Sequence, residues 1–521
     1  MIKNIKSYIE NIFIRFFINF KKYEKIYFNP EELNFSLINF IDQKKIKSIY
    51  LNINSLNVNI QNKNSQVYHS FDWLNYSKKL GGANNIKRAN QIIESWIDKH
   101  RSINSPLWSV DFVSSRYINI VYALDFLSIL FDQKLKEKIY RFLYLHYWLL
   151  KNQLNYNNKK YKIQSLKALL LGNCIYKRGI KKSLKLLNNL FNDQIDSFGF
   201  HKSYNALEHS RFINDLHEIK NIFLFFQVPK NKILLFQINN MTAVIQNLFH
   251  HDKSLILFNG SRNTNLKEVN KVINLSKDII PKKIDSNEEG LVFFKDNEKS
   301  IFMDIVRPIN ETVNSSIHAS TLAFELSCKG EKIITNCGSI DRGGFIDDDY
   351  LRYSAAHSTI ILNNTNISEL NRNKSYRRVP NKITFNKEDQ KGYILWNSGH
   401  NGYINNFNKI ISRKIKIIKN KNEIIGEDSF MSTKSNTNNI IYHIRFHLMP
   451  HCNCILTNNK KNAILQINKQ SWTFKTSSLL SIEDSIYVNN ENKIQQTKQI
   501  VISGHVSSRK KIEYWKISKH E

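Results

Sequence analysis

The sequence predicts an α+β multidomain protein: an all-helical N-terminal part, then a C-terminal antiparallel β-sandwich. Three observations carry this. The apolar residues follow a helical period over roughly 86–250 and an alternating one from about 290. Connections in the first part are short and polar, as between consecutive helix pairs of a bundle, solenoid or toroid. The second part repeats short strand–turn–strand units with no helical pattern between them.

Composition narrows the class. The 521 residues include only 16 Gly and 7 Pro, which excludes collagen-like and Pro/Gly-rich disordered chains. Hydrophobic residues make up 41%, enough to bury a large core. No run of about 18 apolar residues occurs, which excludes a polytopic membrane protein. Lys and Arg number 76 against 44 Asp and Glu, a net charge of +32 that favours a polyanionic partner. The lysines are spread along the chain, and they accompany the Asn and Ile that AT-rich coding also enriches. A dedicated nucleic-acid arm would be concentrated, so nucleic acid is not the favoured partner. Cys174, Cys328, Cys337, Cys452 and Cys454 include no CxxC pair and read as reduced, mostly buried thiols.

The elements follow in order. Residues 1–85 form an extension with the first helices. Within it, Ile9, Ile12, Phe13, Phe16, Phe17 and Phe20 fall at helical spacing on a basic segment that lacks a cleavage site. That predicts an amphipathic surface helix in preference to a signal peptide. A helical domain spans 86–285. Ile92, Ile93, Trp96 and Ile97 mark one buried face, and Tyr117, Val121, Leu124 and Leu127 or Leu130 another. Further helices are predicted at 139–150, 163–176, 184–191 and 207–225. A linker containing Pro281 and residues 285–290 leads to the β-domain at 286–521. There Leu322, Phe324 and Leu326 share a face before a turn at Lys329-Gly330-Glu331. Ile415 and Ile417 alternate with lysines, residues 419–422 turn the chain, and similar units recur at 462–476 and 497–517.

Three groups of residues could carry chemistry. The first is His201, Tyr204, Asn205, Glu208 and His209, at a predicted loop–helix junction. It offers a base, a proton donor and a charge neutraliser. Asn205 with Glu208 three residues on equally reads as a capping box. The second group is His318, Asn336, Arg352, Tyr353 and His357. Histidine beside Tyr and Arg suits proton abstraction next to an anionic group, and two His with an Asn form a weak metal set. Each His equally reads as a hydrogen-bonded structural residue. The third is His443, Arg445 and His447, which share one face of a predicted strand as a sugar-binding stripe or a solvated edge. No GxSxG, P-loop or GxGxxG appears, so serine hydrolase, P-loop NTPase and dinucleotide-binding readings lack support.

The pattern resembles the heparinase II/III-like family of polysaccharide lyases over about residues 90–517. His318-Ala-Ser-Thr-Leu-Ala-Phe-Glu325 resembles the family's H-A-(D/S)-x-L-S-F-E strand. Asn336-Cys-Gly338 resembles its (D/N)-x-G turn, and Arg352-Tyr-Ser-Ala-Ala-His357-Ser-Thr359 its R-x-T-x-A-H-(N/S)-T segment. Gly199-Phe-His201 resembles its G-G-H loop. The resemblance implies an incomplete α/α toroid followed by the β-sandwich, with an acidic polysaccharide cleaved at a uronic acid by β-elimination in a cleft between them. Candidate catalytic residues are then His201, Tyr204, Asn205, His318, Tyr353 and His357, the imidazoles converging on one groove. Arg116, His209, Arg352, Arg445 and His447 are the candidate substrate-binding residues. His318, Asn336 and His357 are candidate ligands of a structural divalent metal, Zn or Ca. A cell-envelope or periplasmic location is implied, with the cytoplasm as the alternative because no clear export signal is visible. Three departures stand out. Lys160-Tyr161 replaces the family's Asn-His pair, Glu208 stands where many members carry a catalytic Tyr, and Asn336 stands where a ligating Asp often follows. They motivate a second expectation, a non-catalytic glycan-binding or envelope-assembly protein on the same scaffold.

Overall fold

The computed structural model describes residues 63–155, 162–262, 266–275, 290–308, 317–340, 349–370, 376–433 and 439–520. The helix expected around residues 9–20, the Lys160-Tyr161 pair and the linker at 281–289 lie outside them. The chain divides into two compact units, neither continuous in sequence. One holds the described residues up to Asp193 together with Asn214–Phe236. The other holds Gln194–Ile213 and most of the chain from Gln237 onward.

The helices are α1 (Lys63–Ser70), α2 (Leu74–Leu80), α3 (Ala83–Lys99), α4 (Val110–Leu127), α5 (Gln133–Asn155), α6 (Ile163–Ile175), α7 (Ile180–Gln194), α8 (Ala206–Phe225), α9 (Lys232–Ile245) and α10 (Leu266–Leu275). Helix α4 is the hub of the first unit, packed on α1, α2, α3, α5 and α6. Its buried positions run all round the helix, among them Val113, Tyr117, Ile118, Ile120, Val121 and Leu124, as a core helix requires. Leu127 is buried and Leu130 exposed, which settles the alternative left by the spacing. Helix α3 is amphipathic and buries Ile86, Ala89, Ile92, Ile93 and Trp96. Asp132 caps α5 by accepting the Leu135 amide at 2.7 Å.

The second unit is β-rich. Strands β1 (Leu291–Lys295), β2 (Lys299–Asp304), β3 (Phe324–Cys328) and β4 (Glu331–Ile334) form one antiparallel sheet in chain order. The remaining strands are β5 (Ile360–Leu362), β6 (Glu369–Leu370), β7 (Tyr376–Arg378), β8 (Ile383–Asp389), β9 (Tyr393–Tyr403), β10 (Lys409–Ile418) and β11 (Glu423–Ser432). After them come β12 (Ile440–His447), β13 (Cys452–Leu456), β14 (Asn462–Ile467), β15 (Gln470–Thr476), β16 (Leu480–Val488), β17 (Ile494–Val506) and β18 (Lys510–Lys519). An eight-stranded sheet runs β13-β14-β15-β18-β11-β10-β9-β8, and a four-stranded one β16-β17-β12-β5. Side chains from these sheets meet in one core containing Phe324, Trp396, Ile415, Phe430, Ile444, Phe446, Phe474 and Trp515.

The expected hairpins are present. Lys329 and Gly330, with φ of 50° and 82°, turn β3 into β4, the positive values that a type I′ turn needs. Ile415 and Ile417 of β10 face the core while Lys414 and Lys416 face outward. The inward row of β10 also contains Lys409 and Arg413, both fully buried. Leu322 does not extend β3; it has φ of 64° and forms a turn before it.

Candidate active site

The second unit joins the first two residue groups in one hydrogen-bonded network. The loop before α8 is built on Asp196, whose carboxylate accepts the Phe198 (2.9 Å) and Phe200 (2.8 Å) amides. Burial raises this carboxyl above its ordinary value, against the donors around it. Tyr204, with φ of 49°, donates its hydroxyl to the same carboxylate at 3.2 Å. Asn205 caps α8, its Oδ1 accepting the amides of Leu207 (2.9 Å) and Glu208 (3.1 Å). Glu208 pairs with Arg211 at 2.9 Å, on the surface. Asn205 Nδ2 donates to the Asn259 carbonyl at 3.1 Å, and Asn259 Oδ1 accepts the His318 amide at 3.1 Å. Asn259 therefore ties the loop of His201 to the segment of His318.

The imidazoles are neutral. His201 Nδ1 accepts the Ser203 amide at 3.3 Å, which leaves its proton on Nε2. Burial pushes His201 down to about 4. His318 Nδ1 and His357 Nε2 lie 3.2 Å apart, so one ring donates to the other. Burial pushes His357 down to about 4. His318 falls well below its ordinary value, first by burial and then through the adjacent His357 ring and the Arg352 cation. Arg352 is anchored beside them: its guanidinium donates to the Ile317 carbonyl (3.3 Å) and the Tyr376 hydroxyl (3.4 Å). Exposure ranks these groups. Tyr353 is 40% exposed, His201 and Arg352 9%, His318 3% and His357 0%. His357 is thus the more deeply buried ring of the pair, with one nitrogen facing His318.

Other expected contacts are placed differently. Arg116 is fully buried in the helical unit. It donates to the carbonyls of His69 (2.9 Å) and Leu107 (2.8 Å) and to His146 Nε2 (3.1 Å), with its guanidinium 4.4 Å from the Trp96 ring centre. His209 Nδ1 accepts the His201 amide (3.1 Å) and Nε2 donates to the Met241 carbonyl (2.8 Å), so both nitrogens hold the loop in place. His447 is likewise buried, with Nε2 donating to the Ala355 carbonyl (3.0 Å) and Nδ1 facing Ser485 Oγ (2.7 Å). Arg445 pairs with Glu483 at 3.0 Å. These arrangements turn Arg116, His209 and His447 from substrate contacts into structural residues.

A divalent ion does not fit the expected ligand set. His318 and His357 engage each other through one nitrogen each, and the Asn336 amide is engaged at both its oxygen and its nitrogen. Its Oδ1 accepts the Ser358 amide (3.0 Å) and its Nδ2 donates to Glu325 (3.0 Å). Among the described residues no three His, Cys, Asp or Glu groups come together to hold a metal. No chemical step is therefore routed through one.

Some site residues were missed in the sequence. Asp304, at the end of β2, accepts the Ser320 hydroxyl and the Val306 amide (2.8 Å). Burial pushes its carboxyl up to about 7 against those donors. Glu325 accepts the Leu257 amide (3.2 Å) and faces His250 Nε2 (2.8 Å). Asn259-Gly260, with φ of 54° and 83°, carried a readable Asn-Gly turn signal. Asp304 and His250 carried none.

Residues 283–516 match the family model described as Heparinase II/III-like, C-terminal. The match covers a little under half of the chain and lies in its β-rich part. His318, Asn336, Arg352 and His357 fall inside the matched heparinase II/III-like segment, and His201, Asn205 and Asn259 outside it. No curated relative matches the chain by sequence. Among solved structures, heparinase III is similar with a TM-score of 0.74 and 12% identity, over 98% of this chain and 89% of its own. Heparan sulfate lyase HepC from Pedobacter heparinus is similar with a TM-score of 0.67 and 13% identity, over 95% and 86%. These likenesses establish the heparinase II/III-like architecture, an incomplete α/α toroid followed by an antiparallel β-sandwich. Among the described residues, no helix is long and apolar enough to cross a membrane.

Proposed function

We propose that the protein is a lyase that cleaves an acidic, uronic-acid-containing polysaccharide by β-elimination. The observation that supports this most is the neutral His318–His357 pair beside the Arg352 cation, within the matched family segment. The reaction needs a free base near a fixed positive charge. An unprotonated imidazole takes the proton α to the uronate carboxylate, whose charge faces Arg352. A carbon–carbon double bond forms as the bond to the 4-linked oxygen breaks. The leaving oxygen takes a proton, for which His201 Nε2 and the Tyr204 hydroxyl are the candidate donors. The net charge of +32 concentrates a polyanion near the surface. The acidic substrate class also agrees with the heparan sulfate lyase among the similar structures. The cell envelope, where such polymers are met, is the proposed location.

One observation favours a second reading, binding without cleavage. The Asn205 amide is engaged in capping and bridging, and Glu208 is paired with Arg211, so neither is free as neutraliser or acid. The test is to offer a panel of uronate polymers and follow the ultraviolet absorbance of unsaturated uronate. We expect absorbance with at least one polymer, lost in His318→Gln. Retention on an immobilised polymer with no absorbance from any would replace the lyase by the binding reading.

A further inference from the structure

The geometry points to Arg413 as a positioning residue for the imidazole pair: held by Asp428 in the sandwich core, it fixes the two backbone segments that adjoin His318 and His357. The guanidinium is fully buried, and four hydrogen bonds define its place. Nε and one terminal nitrogen donate to the two Asp428 oxygens at 2.7 and 2.9 Å, a bidentate pair. The other terminal nitrogen donates to the Leu322 carbonyl at 2.9 Å and the Ser358 carbonyl at 2.8 Å. Those acceptors lie 91 and 55 positions away in sequence. Leu322 lies in the Ser320–Ala323 turn, which begins two residues after His318, and Ser358 directly follows His357.

That turn needs an external hold. Leu322 has φ of 64°, a left-handed conformation that is strained for a bulky side chain. Other bonds bring the same segments together: Thr359 Oγ1 donates to the Thr321 carbonyl (2.8 Å) and Ser354 Oγ to the Ala319 carbonyl (2.7 Å). Arg413 links these bonds to the sheet core. Asp428 is oriented in turn by Trp515 Nε1 at 3.0 Å, and the guanidinium lies 5.4 Å from the Phe324 ring centre. A buried ion pair alone is a weak source of stability. Here the planar fork gives it a specific use, because one nitrogen bridges two carbonyls while the rest grips the carboxylate. A lysine ammonium has no such fork.

As a statement about catalysis this rests on the lyase reading; as a statement about ring geometry it does not. The experiment compares wild type with Arg413→Lys by nitrogen NMR of the imidazoles, alongside kcat and KM on any polymer that is cleaved. We expect a folded variant in which the His318–His357 nitrogen signals change at neutral pH. We expect kcat to fall about tenfold with KM unchanged. Unchanged signals in a folded variant overturn the proposal, whatever the activity. If wild type cleaves nothing, the NMR arm still decides. If Arg413→Lys does not fold, Trp515→Phe, which removes the indole donor to Asp428 together with part of a core ring, carries the test. A smaller change of the same signals supports the proposal, and identical signals overturn it.

Discussion

Mild acid is predicted to unfold the β-rich unit. Six of its buried histidines are held far below their ordinary value, chiefly by burial. His201, His250 and His357 lie at about 4, and His209, His400 and His447 at about 3. In the unfolded chain each titrates near its ordinary value of about 6.5. The sign follows from proton uptake. Below about 6.5 the unfolded chain binds protons that the folded one cannot, so stability is highest above that value and falls as the pH drops toward 4. At about pH 5.5 each ring lowers stability by more than about 1 kcal/mol, and the six together by about 8 kcal/mol. Asp304 opposes this. Its folded carboxyl at about 7 binds a proton more tightly than the unfolded one, which restores about 2 kcal/mol at that pH. The net loss of about 6 kcal/mol is comparable with a whole domain's stability of about 5–15 kcal/mol. Guanidinium unfolding followed by tryptophan fluorescence, at about pH 7.5 and about pH 5.5, measures it. A midpoint that collapses at the lower pH is expected. Equal midpoints would show that the rings protonate in place, which would refute both their burial and the tautomers assigned above.

Three substitutions extend the account. Asn205→Ala removes the cap of α8 and the bridge to Asn259, and should lower stability by about 2 kcal/mol in thermal melts. Gly426→Ala puts a Cβ within 1.9 Å of the Trp515 ring; we expect a loss of about 1–3 kcal/mol with an altered near-ultraviolet circular dichroism spectrum. In the helical unit, Lys167 is buried against Asp215 and Glu218. Lys167→Met leaves both carboxylates without that cation and should lower stability by about 3–5 kcal/mol, read by denaturant titration.

The fold was legible because its signals are local. The helical stripe at Tyr117, Val121 and Leu124 and the alternation at Ile415 and Ile417 report which side of each element is buried, and the structure buries those side chains. The site was legible only in part. The proximity of His318 and His357 was anticipated by motif, yet their burial and mutual contact depend on turns set by residues far along the chain. Arg413 sits in the inward row of β10, where the pattern alone reads as an interruption of an apolar face. His209 and His447 were misread for a related reason. A histidine in sequence shows a titratable ring, whereas a backbone carbonyl such as that of Met241 or Ala355 decides whether a nitrogen is left for a substrate.

The most direct test is the mass of the product. Wild-type protein incubated with a uronate polymer that it degrades should yield fragments whose new non-reducing end is one water lighter than a hydrolysis product. Fragments of full hydrolytic mass, from the same folded protein, would contradict elimination.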